Sequence, residues 1–208
     1  HVGDGTLYKT KRNSLVWELR GSVNEKEYYK YVRQLIKEIF NIEVKPKYRG
    51  INSYGIQTTN KIITQFFIDS GFKPGPKTLT VSIPEEIKKA KENIQLSFLR
   101  GLFDTDGCIR FDKNRTDFYY YPKIEFSLAS KQLIEDLEIL FKELKFRAHK
   151  WQYKRKDGMT FSICLAGFDN LDKWLKEVKP ANPKHQNRVK IGLLNKNKIK
   201  LKKVSTNL

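Results

Sequence analysis

The stretch that decides the fold is "FLRGLFDTDG", residues 98–107. Phe98, Leu99, Leu102 and Phe103 are apolar at helical spacing, so the segment reads as a helix with a buried stripe. It then runs into Asp104, Asp106 and Gly107. A helix C-terminus carries partial negative charge and disfavours aspartate by a few tenths to about one kcal/mol. Gly107 is explained as the left-handed residue that closes a helix. Asp106 is not explained by helix physics. A bound cation would explain it, and so would an Asx-type turn at the helix end. Asp104 reads as a surface or helix-end residue.

Around this helix the chain is strongly basic. Its 208 residues carry 41 Lys and Arg against 23 Asp and Glu, a formal charge of +18. With 39% apolar residues it has enough hydrophobic material to fold. A folded chain with this imbalance points to a polyanionic partner, and nucleic acid fits better than a membrane. No apolar run approaches the roughly 18 residues of a membrane helix, and no signal peptide is visible. Cys108 and Cys164 are too few for a disulfide framework, and with His1, His149 and His185 they make no zinc pattern. Reduced cysteines suit a cytoplasmic protein, or an organellar one in a eukaryote. The first residue is His1, so translation is expected to start upstream.

The chain repeats itself. "GDGTLYK" (3–9) resembles "TDGCIRF" (105–111), which pairs Asp4 with Asp106 and Gly5 with Gly107. In copy one, strands are expected near 6–12 and 14–21, a helix over 25–40, strands near 43–49 and 53–59, and the helix "KIITQFFIDSGF". Copy two repeats the order, with strands near 108–112 and 118–128, a helix over 130–146, strands near 147–155 and 160–166, and "NLDKWLKEV". The division is therefore 1–72, a Pro-, Gly- and Lys-rich linker 73–93, a second half 94–180, and a basic, weakly patterned tail 181–208. The fold class is α+β: a duplicated unit of antiparallel strands covered on one face by helices.

A half-covered sheet alternates apolar and polar residues. Leu15, Trp17 and Leu19 alternate with Ser14, Val16, Glu18 and Arg20. Lys45, Lys47 and Arg49 fall together, as do Lys150, Gln152 and Lys154 between Trp151 and Tyr153. The uncovered face is then expected to carry Lys, Arg, Gln, Ser, Thr and Tyr. Arg and Gln read base edges and Lys meets phosphate. An ordinary solvated face is also polar, and the charge imbalance weighs against that reading. Packing the two "DG" helices together, with Gly101 allowing close approach, would bring Asp4 and Asp106 side by side. Two such carboxylates repel, and an oxygen-only donor set suits Mg²⁺.

"LRGLFDTDG" (99–107) resembles the signature of the LAGLIDADG homing endonucleases, and "HVGDG" (1–5) is similar to the end of a first copy. "SIPEEI" followed by "SFLRGLFDTDG" is similar to the two-motif, single-chain members. The resemblance implies two αββαββα halves about a pseudo-twofold axis, whose two sheets form a DNA-binding saddle. It implies a sequence-specific double-strand DNA endonuclease that needs Mg²⁺, with Mn²⁺ as a substitute, acting as a monomer on a long asymmetric duplex. Metal binding maps to Asp4 and Asp106, helped by the carbonyls of Gly3 and Thr105. A polar pair where the second strand meets the next helix maps nearest to Glu25-Lys26 and Ser130-Lys131. Lys26 and Lys131 thereby become catalytic candidates, although solvated first-turn lysines look the same. DNA contacts are expected from Tyr8, Arg20, Lys45, Lys47, Arg49, Gln57, Arg110, Lys123, Lys150, Gln152 and Lys154. Two departures stand out. Only the last part of the first motif is present, and Arg100 replaces the small residue that usually precedes the motif glycine. A relative that kept the saddle and lost cutting, serving as an RNA maturase or a binding module, is the alternative. No intein ends are visible, which favours an intron-encoded protein.

Overall fold

The computed structural model describes residues 2–156 and 158–205. The first half runs β1 (Gly5–Lys9), β2 (Leu15–Ser22), α1 (Lys26–Phe40), β3 (Lys47–Gly50), β4 (Ser53–Thr58) and α2 (Lys61–Asp69). A linker with the short helix α3 (Glu85–Lys88) leads to α4 (Glu92–Asp106). The second half continues with β5 (Gly107–Lys113), β6 (Tyr119–Leu128), α5 (Lys131–Glu143), β7 (Ala148–Arg155), β8 (Gly158–Ala166) and α6 (Phe168–Glu177).

The two sheets are antiparallel with the same topology, β1-β2-β4-β3 and β5-β6-β8-β7. The registers correspond: Gly5 lies opposite Leu19, and Gly107 opposite Phe126. The duplication expected from the Asp-Gly repeat is therefore present strand for strand. Local signals set the helix starts. Asn60 Oδ1 accepts from the Ile62 N–H at 2.9 Å, and Ser130 Oγ accepts from the Leu133 N–H at 3.2 Å. Asn41, left-handed at φ 53°, ends α1.

Each half buries its own core. Leu7, Trp17, Leu19, Tyr29, Ile36, Val44, Ile56 and Ile63 fill the first. In the second, the fully buried Trp174 of α6 packs edge-on against Phe103 at 5.0 Å and Phe146 at 5.6 Å, and against Phe126 and Phe141. The motif helix α4 is anchored here through Leu99, Leu102 and Phe103.

The basic, weakly patterned tail is a helix, α7 (Pro183–Ser205), lying on the β5–β6 hairpin. Its contact is narrow. Val189 is buried, Gly192 meets the Phe111 ring, and Asn195 Nδ2 donates to the Tyr119 carbonyl at 3.0 Å, while Ile191 and Leu194 stay exposed. A helix with so thin a buried stripe shows little periodicity. Gly107 is extended, at φ −78° and ψ 160°, not left-handed. Glycine is needed there because a Cβ would sit 2.0 Å from the Phe103 ring. Among the described residues, which hold only the last part of a first motif, the face of α4 at Gly101 is open. Nothing lies within 4 Å of where a Gly101 Cβ would be, and Arg100 turns away to donate to the Val178 carbonyl at 2.7 Å.

Trp174→Ala should cost about 3–5 kcal/mol, the usual loss for a large buried aromatic. Urea unfolding followed by tryptophan-independent circular dichroism checks it. A cost below about 1 kcal/mol would mean the aromatic cluster is not the core of this half.

Candidate active site between the two halves

Residues 2–4 run past the end of α4, and glycine permits the approach. A Cβ on Gly3 would sit 2.0 Å from both Asp106 Oδ2 and Thr105 Oγ1. This contact brings the predicted pair Asp4 and Asp106 together, each just before the first strand of its own sheet. Thr105 Oγ1 donates to Asp106 Oδ2 at 3.0 Å. Glu25, in the single 3₁₀ turn Val23–Glu25, joins them. Beside Gly21, where its Cβ would be, Glu25 Oε2 lies at 3.2 Å and Asp4 Oδ2 at 3.5 Å.

The electrostatics are those of crowded, partly desolvated carboxylates. Burial, then the charges of Asp106 and Glu25, pushes the Asp4 carboxyl up to about 6. Burial also raises Asp106, against the opposing Thr105 hydrogen bond and the Lys77 charge. Burial would raise Glu25 as well, but hydrogen bonds from Lys184 and Asn182 outweigh it and hold that carboxyl low.

Two lysines close the site, and they are not the expected ones. Lys77 Nζ donates to the Val2 carbonyl at 2.6 Å and to the Gly3 carbonyl. Lys184 Nζ donates to the Thr105 carbonyl at 3.3 Å and pairs with Glu25 Oε1 at 2.7 Å. The two carbonyls predicted as metal ligands, Gly3 and Thr105, are thus each gripped by a lysine. Burial lowers the pKa of Lys77. Lys26 and Lys131 are corrected. Lys26 reaches the Tyr48 hydroxyl and lies over the Tyr48 ring at 4.5 Å, and Lys131 pairs with Glu135 at 3.4 Å on its own helix. Lys77 and Lys184 are the lysines whose charges reach Asp4. A sequence signal for them existed: "GPK" (75–77) after copy one and "NPK" (182–184) after copy two. Both lie past the last helix of their copy, where no periodicity marks them.

Asp104 is buried rather than superficial. Its carboxylate accepts the backbone N–H groups of Ala181 and Asn182 at 3.0–3.1 Å, and burial pushes its pKa up to about 6. It fixes the loop that carries Lys184. Copy one holds Val2 at the equivalent place, so nothing in the repeat could reveal this role.

The open sheet faces hold most of the predicted DNA contacts. Tyr8, Arg20, Arg49 and Gln57 form one network, with Gln57 Nε2 donating to Tyr8 at 2.6 Å and Arg20 pairing with the buried Glu18 at 2.7 Å. Lys47 lies on the same face, and Lys45 is exposed just before β3. Arg110 pairs with Glu125 at 3.0 Å and Lys123 with Asp112 at 2.6 Å on the second sheet. Lys150, Gln152 and Lys154 are corrected. Lys150 and Gln152 sit opposite the core residues Ile163 and Phe161, and Lys150 pairs with Glu138 of α5. The open face of β7 carries His149, Trp151 and Tyr153 instead, with His149 stacked on Trp151 at 5.9 Å. β7 is an edge strand whose residues are exposed or half-buried on both faces, so alternation no longer reports the core.

The donor set fits a divalent cation on this structure's own chemistry: two half-buried carboxylates raised by burial, neighbouring carbonyl oxygens, and no histidine or cysteine among them.

Residues 93–179 match the LAGLIDADG-like domain family. Solved structures with this fold include the homing endonuclease I-DmoI in complex with DNA and Mn (17% identity, TM-score 0.57, covering 87% of this chain and 92% of that one). The meganuclease I-SmaMI bound to uncleavable DNA is another (12% identity, TM-score 0.58, 94% and 88%). Among proteins of Methanocaldococcus jannaschii, glutamine–fructose-6-phosphate aminotransferase is 27% identical over 156 residues, 75% of this chain but 13% of that protein. The probable translation initiation factor IF-2 is 26% identical over 155 residues, 71% of this chain but 12% of that protein.

Asp4 has a folded pKa above its ordinary value, so its charged form opposes folding at pH 7.5. Asp4→Asn should therefore raise the metal-free melting temperature by about 2–4 °C, as about 1 kcal/mol does in a chain this long. Mg²⁺ or Mn²⁺ should raise the melting temperature of the wild type and leave that of Asp4→Asn unchanged. A variant that melts lower, yet is still stabilised by the cation, would contradict this site.

Proposed function

We propose, from the premise that residues 93–179 form a LAGLIDADG-like domain in a chain of homing-endonuclease fold, that this protein is a site-specific, divalent-cation-dependent double-strand DNA endonuclease. The observation that carries the reading is the pair Asp4 and Asp106, brought together between the halves, with a lysine on the carbonyl before each.

Asp4 and Asp106 would hold the cation, with the Gly3 and Thr105 carbonyls beside them. Bound there, the cation supplies an activated water and charge for the leaving oxygen. The chain's own residues do the rest. The saddle faces, with Arg20, Arg49, Gln57, Arg110 and Lys123, would orient the duplex and read base edges. Lys77 and Lys184 set a positive charge beside each scissile phosphate, where negative charge develops. The desolvation that lowers the Lys77 pKa also suits proton exchange at its Nζ. The internal twofold lets one monomer address both strands of an asymmetric site. The genetic setting is read from the relatives: a segment matching about an eighth of two polypeptides with unrelated names behaves as a mobile unit inserted in frame within a host protein, which favours an intein-borne origin over the intron-borne one expected from the sequence. Mg²⁺ as the working ion, and a cytoplasmic or organellar setting, complete the proposal.

The test is cleavage of a randomised duplex library with Mg²⁺, Mn²⁺ or EDTA. Metal-dependent double-strand cuts at one long site are expected, reduced about 10²-fold or more in Asp106→Asn and in Lys77→Met. Tight binding of one site without a cut in either metal would replace this reading with that of a binding module.

A further inference from the structure

The two lysines occupy equivalent places but have unlike partners. Among the described residues the hydrogen bonds of Lys77 Nζ go to backbone carbonyls, those of Val2 and Gly3, with the Asp4 and Asp106 charges acting on it without an ion-pair contact. Lys184 Nζ meets the Thr105 carbonyl and also the carboxylate of Glu25. Glu25 is well placed to hold it. Its Oε2 accepts the Ser22 N–H at 3.2 Å as half of a capping box. Its Oε1 accepts Asn182 Nδ2 at 2.7 Å as well as Lys184. Asn182 in turn donates to the Asp104 carbonyl at 2.9 Å. The lysine is therefore fixed from both halves of the molecule.

The equivalent position in the second half is Ser130, at the start of α5. Its Oγ donates to the Val81 carbonyl of the linker at 2.6 Å. The clasp is thus crossed: the helix start of each half holds the segment that follows the other half. On one side the clasp carries a carboxylate, and on the other a hydroxyl. Each ammonium keeps one N–H for a phosphate, but the charge of a lysine paired with a carboxylate is partly compensated and its Nζ is held toward that partner, whereas a lysine on carbonyls is not so restrained.

We propose that Glu25 is a positioning residue that restrains Lys184, so that the strand served by Lys184 is cut after the strand served by Lys77. This rests on the endonuclease reading above.

The test follows both strands of the preferred duplex, each end-labelled, in single turnover. The wild type should accumulate a nicked intermediate, and Lys184→Met should stop at that intermediate with the same strand cut. Glu25→Gln should speed the slower strand about fivefold and bring the two rates together. A second measurement needs no cleavage: amine acetylation of the free, metal-free protein, read by mass spectrometry. Lys184 should gain about fivefold reactivity in Glu25→Gln while Lys77 is unchanged. Equal strand rates in the wild type, an unchanged rate ratio in Glu25→Gln, or unchanged Lys184 labelling would each overturn the proposal. Failure of the wild type to cut either strand would overturn the endonuclease reading, and the strand order with it.

Discussion

Two carboxylates that repel each other, Asp4 and Asp106, are held half-buried at the junction of the two halves, and the surrounding structure answers to that constraint. The repulsion is not relieved by an ion pair within a strand or helix. It is contained by lysines that arrive late in the chain, Lys77 from the linker and Lys184 from the start of α7, each reaching the carbonyl before one aspartate. A fold of two like halves creates this junction without special contrivance, since duplication puts the same Asp-Gly step at the first strand of each sheet. The cost is a cluster of partly desolvated acids, and a hard cation among oxygen donors is the natural way to offset it.

The second half supplies rigidity. Trp174 and the phenylalanines around it clamp α4, so the carbonyl ends of that helix are fixed before any ligand arrives. Asp104 extends the same rigidity outward. By accepting the N–H groups of Ala181 and Asn182, it sets the loop from which Lys184 projects. The first half is lighter and relies on smaller devices, the capping box at Ser22 and the network of Tyr8, Arg49 and Gln57 on its open face. The arginines of both open faces are held by acidic or amide partners, an arrangement that orders them in advance of a duplex.

Much of this was legible in the sequence because the halves obey the same local rules. Helical spacing in 25–40 and 130–146, and alternation in 14–21, follow from one-sided burial, so α1, α5 and β2 were placed correctly. The Asp-Gly repeat located the carboxylates. Other features escaped for physical reasons. On β7 the edge strand is solvated on both sides, so Lys150 and Gln152 were assigned to the wrong face. Lys77 and Lys184 lie in loops, where no periodicity exists, and only the short "GPK" and "NPK" match betrays them. Asp104 and Glu25 act on partners roughly 80 and 160 residues away in sequence. Local pattern carries no trace of such a contact.

The cation proposed between Asp4 and Asp106 is tested most directly by anomalous diffraction at the manganese edge from crystals grown with Mn²⁺. A peak bounded by the Asp4 and Asp106 carboxylates, and absent from the Asp106→Asn protein, is expected. A peak elsewhere, or none at this junction in the wild type at saturating Mn²⁺, would contradict the proposed site.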